Sequence, residues 1–286
     1  MTGSAAGTVA ALAIVILLGV PHGALDAEIA RPHLCRRFGR GWFVAFALPY
    51  LALAAAVLVA WRAAPLATLA GFLALSTWHF GAEDAGPGRP IEALARGGVS
   101  IAVPVLVHPA AFARLFGVVT ATPLDGPPPW LVAAAWLWLA LAAAWMARNA
   151  ASRPRTVAEM VALLALFACL PPLAAFALYF VAVHAPRRVR ALLADPSRAP
   201  RVATVGEAVR RALPTTGLTL LAGAALWPLY DGPPADRLLA LTVQGLAALT
   251  VPHVVLDRLT APRPRPAAAV NPEPTARRAR ARARAA

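Results

Sequence analysis

Four of the six histidines in this 286-residue chain sit in short motifs at the ends of apolar runs. Gly19-Val20-Pro21-His22-Gly23-Ala24-Leu25-Asp26 and Thr250-Val251-Pro252-His253-Val254-Val255-Leu256-Asp257 echo each other as V-P-H-x-x-L-D. Between them lie Ser76-Thr77-Trp78-His79-Phe80-Gly81-Ala82-Glu83-Asp84 and Tyr179-Phe180-Val181-Ala182-Val183-His184-Ala185-Pro186-Arg187-Arg188. Neutral imidazole is a good ligand for first-row metals, and a polar side chain at membrane depth is costly enough to need a purpose. Asp26, Glu83 and Asp257 each follow a histidine at i+4, a helical spacing that brings the acid beside the imidazole and can orient it through its second ring nitrogen. One histidine at a helix end is ordinarily an interfacial residue bonded to a neighbour, so the metal reading rests on the conjunction of His22, His79, His184 and His253. His33 lies in an arginine-rich stretch and His108 falls at the opposite face, so both stand outside the set. Cys35 and Cys169 are too far apart in sequence and setting to suggest a disulfide framework or a thiolate site.

The elements that must carry these motifs are membrane helices. The composition is 59% hydrophobic and 14% charged, against roughly 25% charged in an ordinary soluble domain. The apolar runs are hydrophobic on every face and rich in Ala and Leu, which argues against the alternating segments of a β-barrel. They fall near residues 5–24, 42–61, 64–80, 97–113, 129–147, 157–170, 173–186, 213–230 and 238–256, giving an all-α polytopic bundle of about nine helices, with eight to ten in range. Residues 1–257 form one transmembrane domain, and 258–286 form an Arg/Pro/Ala-rich tail expected to be disordered. The first run has no basic segment before it and continues into Pro21-His22 with no cleavage signal, so it reads as a membrane helix.

All of the basic charge is arginine, and the net charge is +14. Arginines crowd the connections holding Arg31 to Arg40, Arg148 to Arg155 and Arg187 to Arg211, and the tail, which the positive-inside rule places in the cytoplasm of a plasma-membrane protein. A basic tail beside a bilayer fits anionic headgroups, and nothing supports nucleic-acid binding. Because both flanks of Val157–His184 carry that signal, an even number of crossings lies between them; Pro171-Pro172 supplies the reversal, so two short helices are expected where one kinked helix is the alternative. This topology delivers His22, His79, His184 and His253 to one cytoplasmic level. Trp42, Trp61, Trp130 and Trp145 near segment ends fit an interfacial aromatic belt.

The motifs P-H-G-A-L-D, S-T-W-H-F-G and Y-F-x-x-x-H resemble those of the Brp/Blh family of bacterial and archaeal membrane β-carotene 15,15′-dioxygenases, over nearly the whole chain from His22 to His253. The resemblance implies a multi-helix protein that uses Fe(2+) and O2 to cleave β-carotene into retinal, which a rhodopsin could use. It also implies iron ligands at His22, His79 and His184. In the family the third motif carries a second iron-binding histidine four residues further on, and this chain has Arg188 there. A guanidinium offers no lone pair to a metal. Either His253 supplies the fourth ligand, which is the favoured reading, or three histidines suffice, or the chain is a relative with altered or absent activity. Phe80, Tyr179 and Phe180 are candidates to line a site for the apolar substrate. A haem or other non-enzymatic metal protein is the main rival. Di-iron desaturases are disfavoured because H-x-x-x-H and H-x-x-H-H boxes are absent, and a transporter because the charges crowd the segment ends.

Overall fold

The computed structural model describes residues 5–261, and the tail expected to be disordered lies almost wholly outside them. Thirteen helices follow in order: α1 (Ala5–Ile14), α2 (Asp26–Phe38), α3 (Trp42–Ala63), α4 (Pro65–Ala85), α5 (Pro90–Gly97), α6 (Val99–Val107), α7 (Pro109–Thr120), α8 (Pro129–Asn149), α9 (Pro154–Cys169), α10 (Pro172–Tyr179), α11 (Ala185–Ala194), α12 (Val205–Leu226) and α13 (Pro234–Thr260). The described residues contain no strand. Seven of these helices begin on proline, whose fixed φ suits the first helical position and whose missing N–H has no partner to lose there.

Burial is inverted relative to a water-soluble fold. Leu17, Leu48, Leu137, Leu213 and Leu221 are each about 60% exposed or more, while Asp26, Arg96, His184 and Arg188 are each at most 5% exposed. Where hydrocarbon is the solvent, aliphatic side chains face out and polar groups must find partners within the bundle. Four helical runs are long and apolar enough to cross a membrane, or five if the bent pair α5 and α6 forms one span. The chain is a helical membrane protein. The expected segment 97–113 is divided at His108-Pro109 into α6 and α7, because proline disfavours helical backbone in the residue before it.

The break at Pro171 reverses the chain as anticipated. Leu170 and Pro171 are extended, and Glu159 near the start of α9 meets Arg187 beyond α10 at 2.5 Å. A continuous helix would hold two residues at that separation about 42 Å apart, so α9 and α10 are the arms of a hairpin. Its apolar sides enter the main core beside Leu12, Leu69, Phe112, Met160 and Leu239.

Two devices set the position of the histidine-bearing segments. Helix α4 lies against α5 so closely that a β-carbon at Gly81 would collide with the Ala93 carbonyl and one at Gly97 with the Thr77 carbonyl. Gly86, with φ +77°, then ends α4 just after the carboxylates Glu83 and Asp84. The second device is a pair of π-helical turns, Val15–Gly19 and Phe180–His184. They pack together, and the absence of a side chain at Gly19 makes room for the Phe180 ring. Such turns are rare and tend to mark functional sites.

Candidate metal centre

Three histidines from α4, the second π turn and α13 converge. The His79 ring lies 5.0 Å from His253 and 5.4 Å from His184, centroid to centroid, and all three are buried. His79, His184 and His253, from distant parts of the chain, therefore meet. The side chain of His22 lies outside the described residues; its backbone belongs to a 3-10 turn, Val20–Leu25. Its neighbours Val20, Gly23 and Ala24 line the same cavity as His79, His184 and His253.

Each carboxylate meets partners from other helices besides any i+4 neighbour. Asp26 is buried and lies with both oxygens 2.8 Å from His253 Nδ1, and it accepts a hydrogen bond from the Tyr50 hydroxyl at 2.9 Å. Asp26 is thus the orienting acid of His253, whose Nε2 is turned toward Glu83 Oε1 (3.9 Å) and Asp257 Oδ2 (3.8 Å). Asp257 makes its shortest contacts with Arg188 (2.6 Å) and Arg198 (2.8 Å). Glu83 lies centrally, its Oε2 at 3.4 Å from His184 Nε2 and its Oε1 at 3.0 Å from Arg188.

Arg188 is therefore not a solvated loop charge. It is 5% exposed, in the first turns of α11, and bridges Glu83 and Asp257. Arg187 likewise leaves the arginine-rich loop to join a second network, contacting Asp84 at 2.9 Å and Glu159 at 2.5 Å, while Arg96 meets Glu159 at 2.6 Å. Tyr179 belongs to this network as well. Its hydroxyl donates to Asp84 Oδ2 at 3.0 Å and its ring packs between Phe80 and Phe167, so it lines neither of the cavities below. Sequence reasoning missed Tyr50; the only trace it leaves is a hydroxyl within an otherwise apolar helix.

Ligand-type atoms of His79, Glu83 and His184 all lie within 4.8 Å of one another, as do those of Glu83, His253 and Asp257. Both Glu83 oxygens are buried, and among the described residues neither accepts a hydrogen bond of good geometry. Imidazoles and carboxylates in this proportion fit a first-row metal such as iron. Around them Glu83 and Asp257 face the guanidinium groups of Arg188 and Arg198, and Asp26 faces His253; with the imidazoles neutral, three carboxylates against two guanidinium groups leave one negative charge to attract a cation.

The cluster opens onto an apolar cavity holding about 1500 Å³ of empty space, its mouth included. One wall is Phe43, Ala47 and Leu51 of α3, and another is Thr215, Leu218 and Thr219 of α12. Leu51 and Leu218 are more than half exposed on the flank that faces hydrocarbon. Phe80 and Phe180 line this cavity as expected, and Phe180 stacks on the His184 ring at 5.5 Å. A second cavity of about 770 Å³ adjoins it, sharing Phe72, Phe80, Phe176 and Leu246.

Fold and site together define a helical membrane protein with a buried histidine–carboxylate centre beside an apolar chamber. The family model described as beta-carotene 15,15'-dioxygenase matches residues 13–260. Among curated relatives, the probable beta-carotene 15,15'-dioxygenase Blh of Halobacterium salinarum is 29% identical over 282 residues, covering 86% of this chain and 81% of its own. The beta-carotene 15,15'-dioxygenase of uncultured marine bacterium 66A03 is 30% identical over 260 residues, covering 86% of this chain and 91% of its own. No solved structure matches. This chain belongs to the beta-carotene 15,15'-dioxygenase family, a family of carotenoid-cleaving oxidoreductases.

Proposed function

We propose that this protein cleaves β-carotene, or a closely related carotenoid, with O2 at a ferrous centre to give retinal. One observation carries the reading: in a member of this family, buried imidazoles from three remote parts of the chain meet at the wall of a large apolar chamber. His22, His79 and His184 are the proposed ligands from the family motifs, with His253 as the fourth in place of any contribution from Arg188. Asp26, Glu83 and Asp257 surround them. When bound, iron supplies the redox chemistry by which dioxygen is activated.

The chain's own residues do the rest. Asp26 holds the His253 Nδ1 and leaves Nε2 turned inward, which fixes tautomer and ring orientation. Phe80 and Phe180 pack on His184 and limit access of water to it. Lipid tails already shield a polyene from water, so its affinity for the chamber comes from dispersion and fit along the apolar walls. The exposed seam between α3 and α12 gives such a molecule a lateral route from the bilayer. The arginine-rich ends and the 258–286 tail support a reading in which this level of the bundle lies at the cytoplasmic face of the plasma membrane, where released retinal could be taken up by a rhodopsin.

Expression in β-carotene-accumulating cells tests the reading. Loss of orange pigment with appearance of retinal is the expected result. Unchanged pigment beside well-inserted protein overturns it and favours a silent homologue or a non-enzymatic metal protein.

A further inference from the structure

Glu83 is the one acid common to both groupings of ligand-type atoms. Its two oxygens have different neighbours: Oε1 lies 3.0 Å from the Arg188 guanidinium, and Oε2 lies 3.4 Å from His184 Nε2. The second distance is long for a hydrogen bond. It is, however, the spacing of two donors that share one ion, since ligands about 2.1 Å from a metal and 90–109° apart are about 3.0–3.4 Å from each other. His253 Nε2 approaches the same carboxylate from the other side at 3.9 Å.

Arg188 explains why this carboxylate can stay in place. It is 5% exposed and spans Glu83 and Asp257, and Arg198 meets the same oxygen of Asp257, Oδ1. Asp257 thus faces two guanidinium groups, and Glu83 faces one through a single oxygen. A guanidinium has only donors and cannot bind a cation. It can hold one carboxylate oxygen and leave the second for a metal.

We propose that Glu83 is itself a ligand of the metal through Oε2, and that Arg188 is the positioning residue that holds its other oxygen. The centre is then mixed, imidazole plus one carboxylate, with Glu83 on α4 joining the histidines. This rests on the proposed iron centre but specifies a ligand beyond the histidines.

The test is anaerobic Fe(II) titration of the purified full-length protein in detergent, with iron retained per chain after desalting as the second readout. Losing an outer-sphere partner weakens metal binding by about 10–100-fold, so Glu83→Gln is expected to exceed about 100-fold. Glu83→Gln also leaves Arg188 without its partner carboxylate, and two double variants separate that effect from ligation. Glu83→Gln with Arg188→Leu removes the stranded charge and adds no donor, so iron binding is expected to stay lost. Glu83→Gln with Arg188→His puts an imidazole one turn after His184 on the same helical face, and is expected to bring affinity back to within about tenfold of wild type, less than the smallest loss above.

Wild type that binds no iron overturns the ferrous reading as a whole. Wild type that binds iron while Glu83→Gln binds it equally well overturns only the Glu83 assignment. So does recovery by the leucine double variant, which makes Glu83 a mere counter-ion, and so does failure of both double variants.

Discussion

Removing Asp26 tests whether His253 is held for ligation. In the Asp26→Ala variant the buried His253 Nδ1 loses its acceptor at 2.8 Å, while the half-buried Tyr50 hydroxyl loses its nearer acceptor at 2.9 Å and keeps the Leu249 carbonyl at 3.3 Å. A buried polar group left unsatisfied costs about 1–3 kcal/mol, and the protein should lose about that much stability. Loss of the carboxylate that orients a ligating imidazole should weaken iron binding by about 10–100-fold, or about 1.4–2.8 kcal/mol. Asp26→Asn keeps the shape and one acceptor oxygen, so its iron affinity should fall near the smaller figure with little change in stability. Tyr50→Phe removes only a donor and should cost about 1 kcal/mol while leaving the Asp26–His253 contact intact. Anaerobic Fe(II) titration and thermal unfolding in detergent read these effects separately. If Asp26→Ala binds iron as tightly as wild type, or if His253→Ala retains its iron and turnover, the role assigned to His253 is wrong.

Two further perturbations address the scaffold. Gly19→Ala places a methyl group against the Phe180 ring, which stacks on His184, so it should cost about 1–3 kcal/mol by overpacking and weaken iron binding as well; Gly23→Ala, where a β-carbon meets nothing, should do neither, and equal effects from both would contradict the packing argument. Glu159→Ala removes the carboxylate that ties Arg96, 2% exposed, to Arg187 across the α9–α10 hairpin; because Glu159 is itself 32% exposed, the loss should be about 1–3 kcal/mol, that of one buried group left unsatisfied, seen as a fall in melting temperature, and an unchanged melting temperature would show that the hairpin does not depend on it.

The membrane class, the run positions and the histidines that meet were legible because each is carried by local pattern: apolar length, proline breaks and motif repetition. The reversal at Pro171-Pro172 followed from the flanking charge and the proline pair together, and the Glu159–Arg187 contact agrees with it. What could not be read was the facing of side chains between helices. Spacing along one helix names only intrahelical neighbours, so it gave no sign that α13 brings His253 against Asp26. For the same reason Arg188 resembled a loop charge and Tyr179 a lining residue, until packing turned the first toward Glu83 and Asp257 and the second toward Asp84. Tyr50 carried no motif and became visible only through its contact with Asp26.

The account stands on imidazoles from distant segments sharing one cation. X-ray absorption at the iron edge of anaerobically loaded protein probes that most directly. Scattering from several imidazoles around one iron per chain, reduced in both His79→Ala and His184→Ala, is the predicted result. Iron that shows no imidazole scattering, or a spectrum unaltered by either substitution, would contradict it.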